Sequence, residues 1–294
     1  MLEGKNKSGQ SGSPGCLGGR AWGSLSVMSG NSNIFATLRA GGRLWAIGAI
    51  HGEARRLAGL HRQIGPRFRA GDKLVYLGNI LGCGADVRAT VEEILLFRRS
   101  LLAKPDVNCG DIVFLRGGQE EMWRKVLQLH LAPSPQGVLQ WMLAQGLGST
   151  ITAYGGNPEE GLAATAEGAV SVSRWTGSLR AALNASDGHA QLMNTLRHAA
   201  YTDDLALLFV AAGVDPGRPL TAQGDNFWWN GGGFARIAEP FAGFRRVVRG
   251  FSRTEKGLMV SRHTVSLDTG CGFGGVLTAV AFDLEGRMID QAEA

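Results

Sequence analysis

An α/β fold of mixed sheets, closed into a four-layer αββα sandwich with a helical insertion, is predicted by three observations. Short β-rich runs ending in glycine recur as "RLWAIG", "KLVYLG" and "DIVFLRG", roughly 30 to 40 residues apart, the spacing of βαβ units. The stretches between them carry helical periodicity, as in "ATVEEILLFRRSLL" with Val91, Ile94, Leu95 and Leu102 on one face. Strand signals return after a long helical interval, so a second set of strands packs with the first.

Taken in order, residues 1–40 read as a disordered Gly/Ser-rich tail. They hold the lysines of a signal sequence but only Gly and Ser where an apolar core should follow. Residues 41–294 read as one domain. Its first half is the three strand-turn-helix units. In parallel sheets chemistry gathers on loops at the carboxyl ends of strands, where all three Gly-rich turns fall. Residues 119–204 read as a helical insertion, from "QEEMWRKVLQLHL" through "WTGSLRAALNAS" to "AQLMNTLRHAAY". From Leu205 the runs "LALLFVAAG", "FRRVVRG", "RHTVSLDTG" and "GVLTAVAFDLEGRMID" read as strands, the last a hairpin about Glu285-Gly286.

Composition excludes several classes. The chain has 294 residues, 44% hydrophobic and 19% charged, an ordinary globular balance. Of the formal charge of +5, Lys5, Lys7, Arg20 and Arg39 against Glu3 place most in the tail, and the rest is nearly neutral. Basic residues are scattered among acids, which argues against a nucleic-acid reader. The longest apolar run, near "LALLFVAAGV", is about half of a membrane span. Cys16, Cys83, Cys109 and Cys271 show no C-x-x-C pairing, so free thiols and a cytoplasmic setting are expected.

Several catalytic motifs fail on context. Gly270, Gly272 and Gly275 satisfy G-x-G-x-x-G but lead into a strand. Cys83 and Arg88 are one residue too close for a Cys-x5-Arg loop, and no G-x-S-x-G or H-E-x-x-H occurs.

The strand ends carry an ordered set of turns. They read Gly48-Ala49-Ile50-His51-Gly52, Gly78-Asn79-Ile80-Leu81-Gly82-Cys83-Gly84 and Leu115-Arg116-Gly117-Gly118-Gln119-Glu120. Then come Ala211-Ala212-Gly213, Arg249-Gly250-Phe251-Ser252 and Leu267-Asp268-Thr269-Gly270. In order, over residues 43–285, these resemble the motifs of the calcineurin-like metallophosphoesterases, in particular the serine/threonine protein phosphatase branch and its bacterial relatives. That family has Gly-Asp-x-His-Gly, Gly-Asp-x-x-Asp-Arg-Gly, Leu-Arg-Gly-Asn-His-Glu, His-Ala-Gly, Gly-His-Thr and an Asp-Thr-Gly strand.

The resemblance implies a site for two divalent metals, such as Mn or Fe/Zn, that activate a bridging water. It also implies that most of that apparatus is replaced here. The metal positions are matched by Ala49, His51, Asn79, Gly118, Ala211 and Phe251, of which His51 alone keeps the family's ligand. The general acid is matched by Gln119, its orienting Asp by Gly82 and the phosphate-clamping Arg by Cys83. Two divalent ions about 3.5 Å apart repel by about 19 kcal/mol at an effective dielectric of ~20. The carboxylates that would offset this are missing, so no metal cofactor and no intact catalytic residue is expected.

A pseudophosphatase follows, one that acts by binding an anionic or phosphorylated ligand or a protein partner. His51, Asn79, Arg116, Arg249 and Asp268 are the binding candidates. His51 and Asn79 also suit plain structural roles, and each arginine suits either an anion fork or a pair with a carboxylate such as Asp268 or Glu120. Two alternatives stand beside this reading. One is a residual metal-dependent phosphoesterase using a single ion through His51, Asn79 and Asp268. The other is a purely structural interaction module whose old site is filled by Phe251 and whose contact surface is the insertion or the aromatic loop "QGDNFWWNGGGF".

Overall fold

Side-chain alternation along the strands sets the layers. In β2 (Leu44–Ile47) after β1 (Phe35–Leu38), then in β3 (Lys73–Tyr76) and β4 (Ile112–Phe114), alternate residues face opposite ways. The computed structural model describes residues 34–39, 41–254 and 257–294. In it, Leu44, Ala46, Val75 and Val113 meet Leu207, Phe209, Val248 and Val265 in an apolar layer between two sheets. Their neighbours Trp45, Ile47, Leu74, Tyr76, Ile112 and Phe114 turn outward against helices. Apolar residues on both faces are why these strands read as continuous hydrophobic runs.

Helices α1 (Ala54–Ile64) and α2 (Val87–Leu102) connect β2, β3 and β4. The first buries Leu57, Leu60, His61 and Ile64, and the second buries Val91, Ile94 and Leu101, the spacing of a single helical face. After β4 come α3 (Gly118–Val126), α4 (Pro135–Ala144), α5 (Gly148–Ala153), α6 (Pro158–Glu167), α7 (Ala169–Asn184) and α8 (His189–Thr195). These helices join the outer apolar cluster beside α2. Trp123 and Tyr154 stack within it at 5.1 Å.

The remaining elements are β5 (Ala199–Thr202), β6 (Leu207–Val210), α9 (Asn226–Trp229), α10 (Gly231–Ala235), β7 (Arg246–Arg249), β8 (Met259–Val260), β9 (Thr264–Ser266), β10 (Thr278–Phe282) and β11 (Met288–Glu293). One sheet runs β11-β10-β2-β3-β4 and the other β1-β5-β6-β7-β9-β8. Both mix directions: β2, β3 and β4 are parallel while β10 is antiparallel to β2 and β11. The αββα sandwich of mixed sheets is therefore the observed fold, its second helical layer reduced to the short α9 and α10.

Two expected boundaries are corrected. Phe35–Leu38 falls within the stretch read as tail, yet it is a strand paired in parallel with β5. The rest of the expected tail, through residue 33, and Cys16 with it, lie outside the described residues. At the other end, β5 falls inside the stretch read as helical insertion. Its two alanines favour helix and extend the helical pattern before them, but Tyr201 and Thr202 suit a strand and pairing with β1 and β6 makes it one. The expected Glu285-Gly286 turn closes the β10–β11 hairpin, with Gly286 at φ 77°. Cys109 and Cys271 are free thiols. No helix among the described residues is long and apolar enough to cross a membrane.

Candidate ligand cleft at the strand ends

The turns that follow β2, β3 and β4 converge with those that follow β6 and β7. The Ala49 N–H donates to the Gly250 carbonyl at 3.1 Å, which joins the carboxyl ends of β2 and β7 across the two sheets. Residue 250 must be glycine, since a Cβ there would lie 2.5 Å from the Cβ of Leu77. Asn79 takes two N–H groups on its carbonyl, from Ile50 at 3.0 Å and from His51 at 2.7 Å. To reach these positions His51 and Asn79 adopt φ of 54° and 50°, left-handed backbone that His and Asn tolerate better than most side chains.

One carboxylate binds the floor of the site together. Glu120, buried, accepts the N–H groups of Asn79 at 2.9 Å, Leu81 at 2.9 Å and Gly117 at 2.8 Å. Burial raises its pKa, and the backbone donors oppose that shift. Sequence reading offers Glu120 only as a partner for arginine. The arginine instead meets its neighbour: Arg116 lies 3.4 Å from Glu121 and over the Trp228 ring. Burial also lowers the Arg116 pKa, with Glu121 pulling the other way.

Above this floor lies a cleft of about 590 Å³. His51, Asn79, Cys83, Gly118, Gln119 and Phe251 line it, joined by Met122, Gln145, Trp228, Trp229, Arg253 and Phe273. Motif positions far apart in sequence are thus gathered into one cavity. Arg116, Arg249 and Asp268 are placed outside its lining. Arg249 is buried, donating from Nε to Ser266 Oγ at 3.0 Å, with its guanidinium 4.1 Å from the Phe234 ring centre. Asp268 accepts the Ser252 N–H at 2.7 Å and the Gly270 N–H at 3.0 Å, ordering the turn after β9.

The positions that matter for metals are occupied by other contacts. A Cβ on Gly118 would lie 2.6 Å from the Trp229 ring, so the aromatic side chain stands where a residue-118 side chain would project. Likewise a Cβ on Gly82 would lie 2.4 Å from Cδ of Gln119. Gln119 itself donates to the Gln145 carbonyl at 2.8 Å. Asn79 Oδ1 accepts the Gln119 N–H at 3.0 Å, so the backbone of α3 competes for that oxygen. Phe251 and Phe273 stand edge-on to the His51 ring at 5.3 and 5.2 Å. Ala49 and Ala211 are buried methyl groups.

This donor set does not fit a pair of divalent ions. Hard cations paired at close range need carboxylates to offset their charge, and the cleft lining has none: it offers one imidazole, the neutral amides of Asn79, Gln119 and Gln145, and the Cys83 thiol. Among the described residues no group of three or more His, Cys, Asp or Glu is arranged to hold a metal. Cys271, beneath the site, is buried with its Sγ 3.3 Å from the Ile50 carbonyl, and burial pushes the thiol up to about 12. It is a packing residue at neutral pH.

Trp229, Phe273, Gln145, Met122 and Arg253 are lining residues that the motifs do not reveal. The aromatic run in "DNFWWNGGGF" is the only sequence signal among them. It folds as α9 and α10, with Phe227 and Trp228 buried and Trp229 turned into the cleft.

No protein-family model and no curated protein matches the chain. Solved structures do. One, provisionally described as a diadenosine tetraphosphatase, aligns with a TM-score of 0.52 at 19% identity, covering 89% of this chain and 98% of the other. A protein serine/threonine phosphatase from Saccharomyces cerevisiae, with similarity to human phosphatase PP5, aligns at 13% identity over 88% of this chain and 82% of its own, with a TM-score of 0.49. A cold-active protein tyrosine phosphatase aligns at 12% identity over 86% and 79%, with a TM-score of 0.48. The first alignment covers most of this chain and nearly the whole of the other, and the chain described here has the fold of the calcineurin-like metallophosphoesterases.

Proposed function

We propose that this chain uses a metallophosphoesterase fold to bind a ligand in the strand-end cleft and does not hydrolyse phosphoesters. The observation that carries the reading is the replacement of the donor set. The side chains of Ala49, Gly118, Ala211 and Phe251 bring no metal-binding atom, Asn79 is a neutral amide whose Oδ1 already accepts a backbone N–H, and Trp229 stands against Gly118. Without a metal pair, water keeps its ordinary pKa and is no nucleophile at neutral pH.

The single-ion alternative asks Asp268 to join His51 and Asn79. Both carboxylate oxygens of Asp268 accept backbone N–H groups, and it does not line the cleft, so this version draws less support. A ligand or a protein segment bound in the cleft remains the better account.

The test is a calorimetric titration of chelator-stripped protein with Mn2+, paired with an assay on p-nitrophenyl phosphate. The expected result is no two-site binding and no turnover above a buffer blank. Two-site binding at micromolar affinity with Mn2+-dependent turnover would restore the hydrolase reading.

A further inference from the structure

We infer that the cleft takes a planar aromatic molecule carrying a single negative group, of which an aryl carboxylate is the simplest case. The inference deepens, and rests on, the binding reading of the same cleft. Its volume of about 590 Å³ lies within the range of roughly 300–1,000 Å³ typical of small-molecule sites. Trp229, Phe251, Phe273 and the His51 ring supply flat apolar surface on several sides. Phe251 and Phe273 both meet His51 edge-on, at 65° and 71°, so the walls present ring faces and ring edges together. Offset and edge-to-face contacts favour an aromatic guest over an aliphatic one of equal area.

Charge narrows the class further. Among the described lining residues Arg253 is the one with a permanent charge. Its Nη2 donates to Gln145 Oε1 at 2.6 Å, which holds the guanidinium at the rim while its other N–H groups stay available for a carboxylate. A polyphosphate would bring several charges to a site with one cation and an apolar wall. One carboxylate matches it.

The probe is 2-naphthoate, titrated into the full-length chain by calorimetry. 2-Naphthamide, cyclohexanecarboxylate and inorganic phosphate serve as comparators. Saturable one-to-one binding of 2-naphthoate is expected, with both cyclohexanecarboxylate and phosphate weaker. Phe273→Ala should weaken 2-naphthoate about fivefold, as loss of an aromatic contact does. Arg253→Gln should weaken it about tenfold, as loss of a charge-assisted bond does, while leaving 2-naphthamide unchanged. Phe273 is 58% exposed and Arg253 is also exposed, so neither change threatens folding, and circular dichroism confirms this for each variant.

Absence of 2-naphthoate binding by folded protein would overturn the inference. So would affinity indifferent to both variants, or phosphate binding as tightly as the aryl acid. These outcomes are separable from failure of the binding reading itself, which shows as Mn2+-dependent turnover. A protein that neither turns over nor binds 2-naphthoate retains the reading and loses this ligand class.

Discussion

His61 illustrates how a buried polar side chain ties stability to pH. It sits on α1 with Nδ1 2.6 Å from Glu93 Oε1 and Nε2 3.0 Å from the Tyr76 hydroxyl, stacked on Phe97 at 3.8 Å. Burial lowers its pKa below 6.5, and Glu93 opposes the shift without cancelling it. His189 and His198 are lowered too, again by burial. A histidine with a depressed folded pKa binds more protons when unfolded, so its contribution is present above the unfolded value and lost as pH falls through the folded one. The urea midpoint is therefore expected to drop on going from pH 7.5 to 5, and to drop less in His61→Gln. An equal drop in the two proteins would remove His61 as a source.

At the scale of elements, the contact between α3 and α9 is the most informative. Gly118 opens α3, and the Trp229 ring at the end of α9 lies in the space a side chain there would need. Gly118→Asn alone should therefore destabilise the fold by about 1–3 kcal/mol, the usual cost of overpacking. Paired with Trp229→Ala it should cost less than the two single changes summed, because residues in contact are not additive. Denaturant unfolding of the four proteins closes that cycle, and strict additivity would show that Trp229 yields freely.

The same scale explains what the sequence discloses. The runs "RLWAIG", "KLVYLG" and "DIVFLRG" announce β2, β3 and β4 because each strand is buried on both faces. Phe35–Leu38 escapes notice because four residues carry no period of their own and become a strand only by pairing with β5, far along the chain. His51, Asn79, Cys83, Gly118, Gln119 and Phe251 can be located from motif order, since each follows a strand directly. Gln145, Trp229 and Phe273 enter the cleft from the insertion and from long connections, where local sequence fixes no direction, and Arg253, two residues past Phe251, belongs to no motif. Arg249 misleads for a simpler reason. It alternates with Val248, which points into the sandwich, and so turns toward Ser266 and Phe234.

For the whole molecule, the two sheets act as a frame whose strand ends meet at the floor of the cleft. Introducing acids at the strand ends tests how far the frame alone supports metal chemistry. Ala49→Asp combined with Asn79→Asp is expected to give at most weak, single-site Mn2+ binding. The Phe251 and Trp229 rings line the same cleft, Gly118 and Ala211 add no ligand side chain, and a carboxylate at 79 still accepts the Gln119 N–H, which competes with a cation for that oxygen. Calorimetry reads the result directly. Tight two-site binding in that double variant would mean that the aromatic groups move aside at little cost.

Glu120 has a consequence for motion. Three amide protons, those of Asn79, Leu81 and Gly117, end on one buried carboxylate, which ties the protection of all three to that side chain's staying in place. Their exchange with deuterium should follow one shared opening event, slow and close to global unfolding. The floor of the cleft is then a rigid plate. Adjustment to a guest falls to the rim, where Phe273 and Arg253 stand exposed, and shape selection becomes a property of the movable edge over a fixed base.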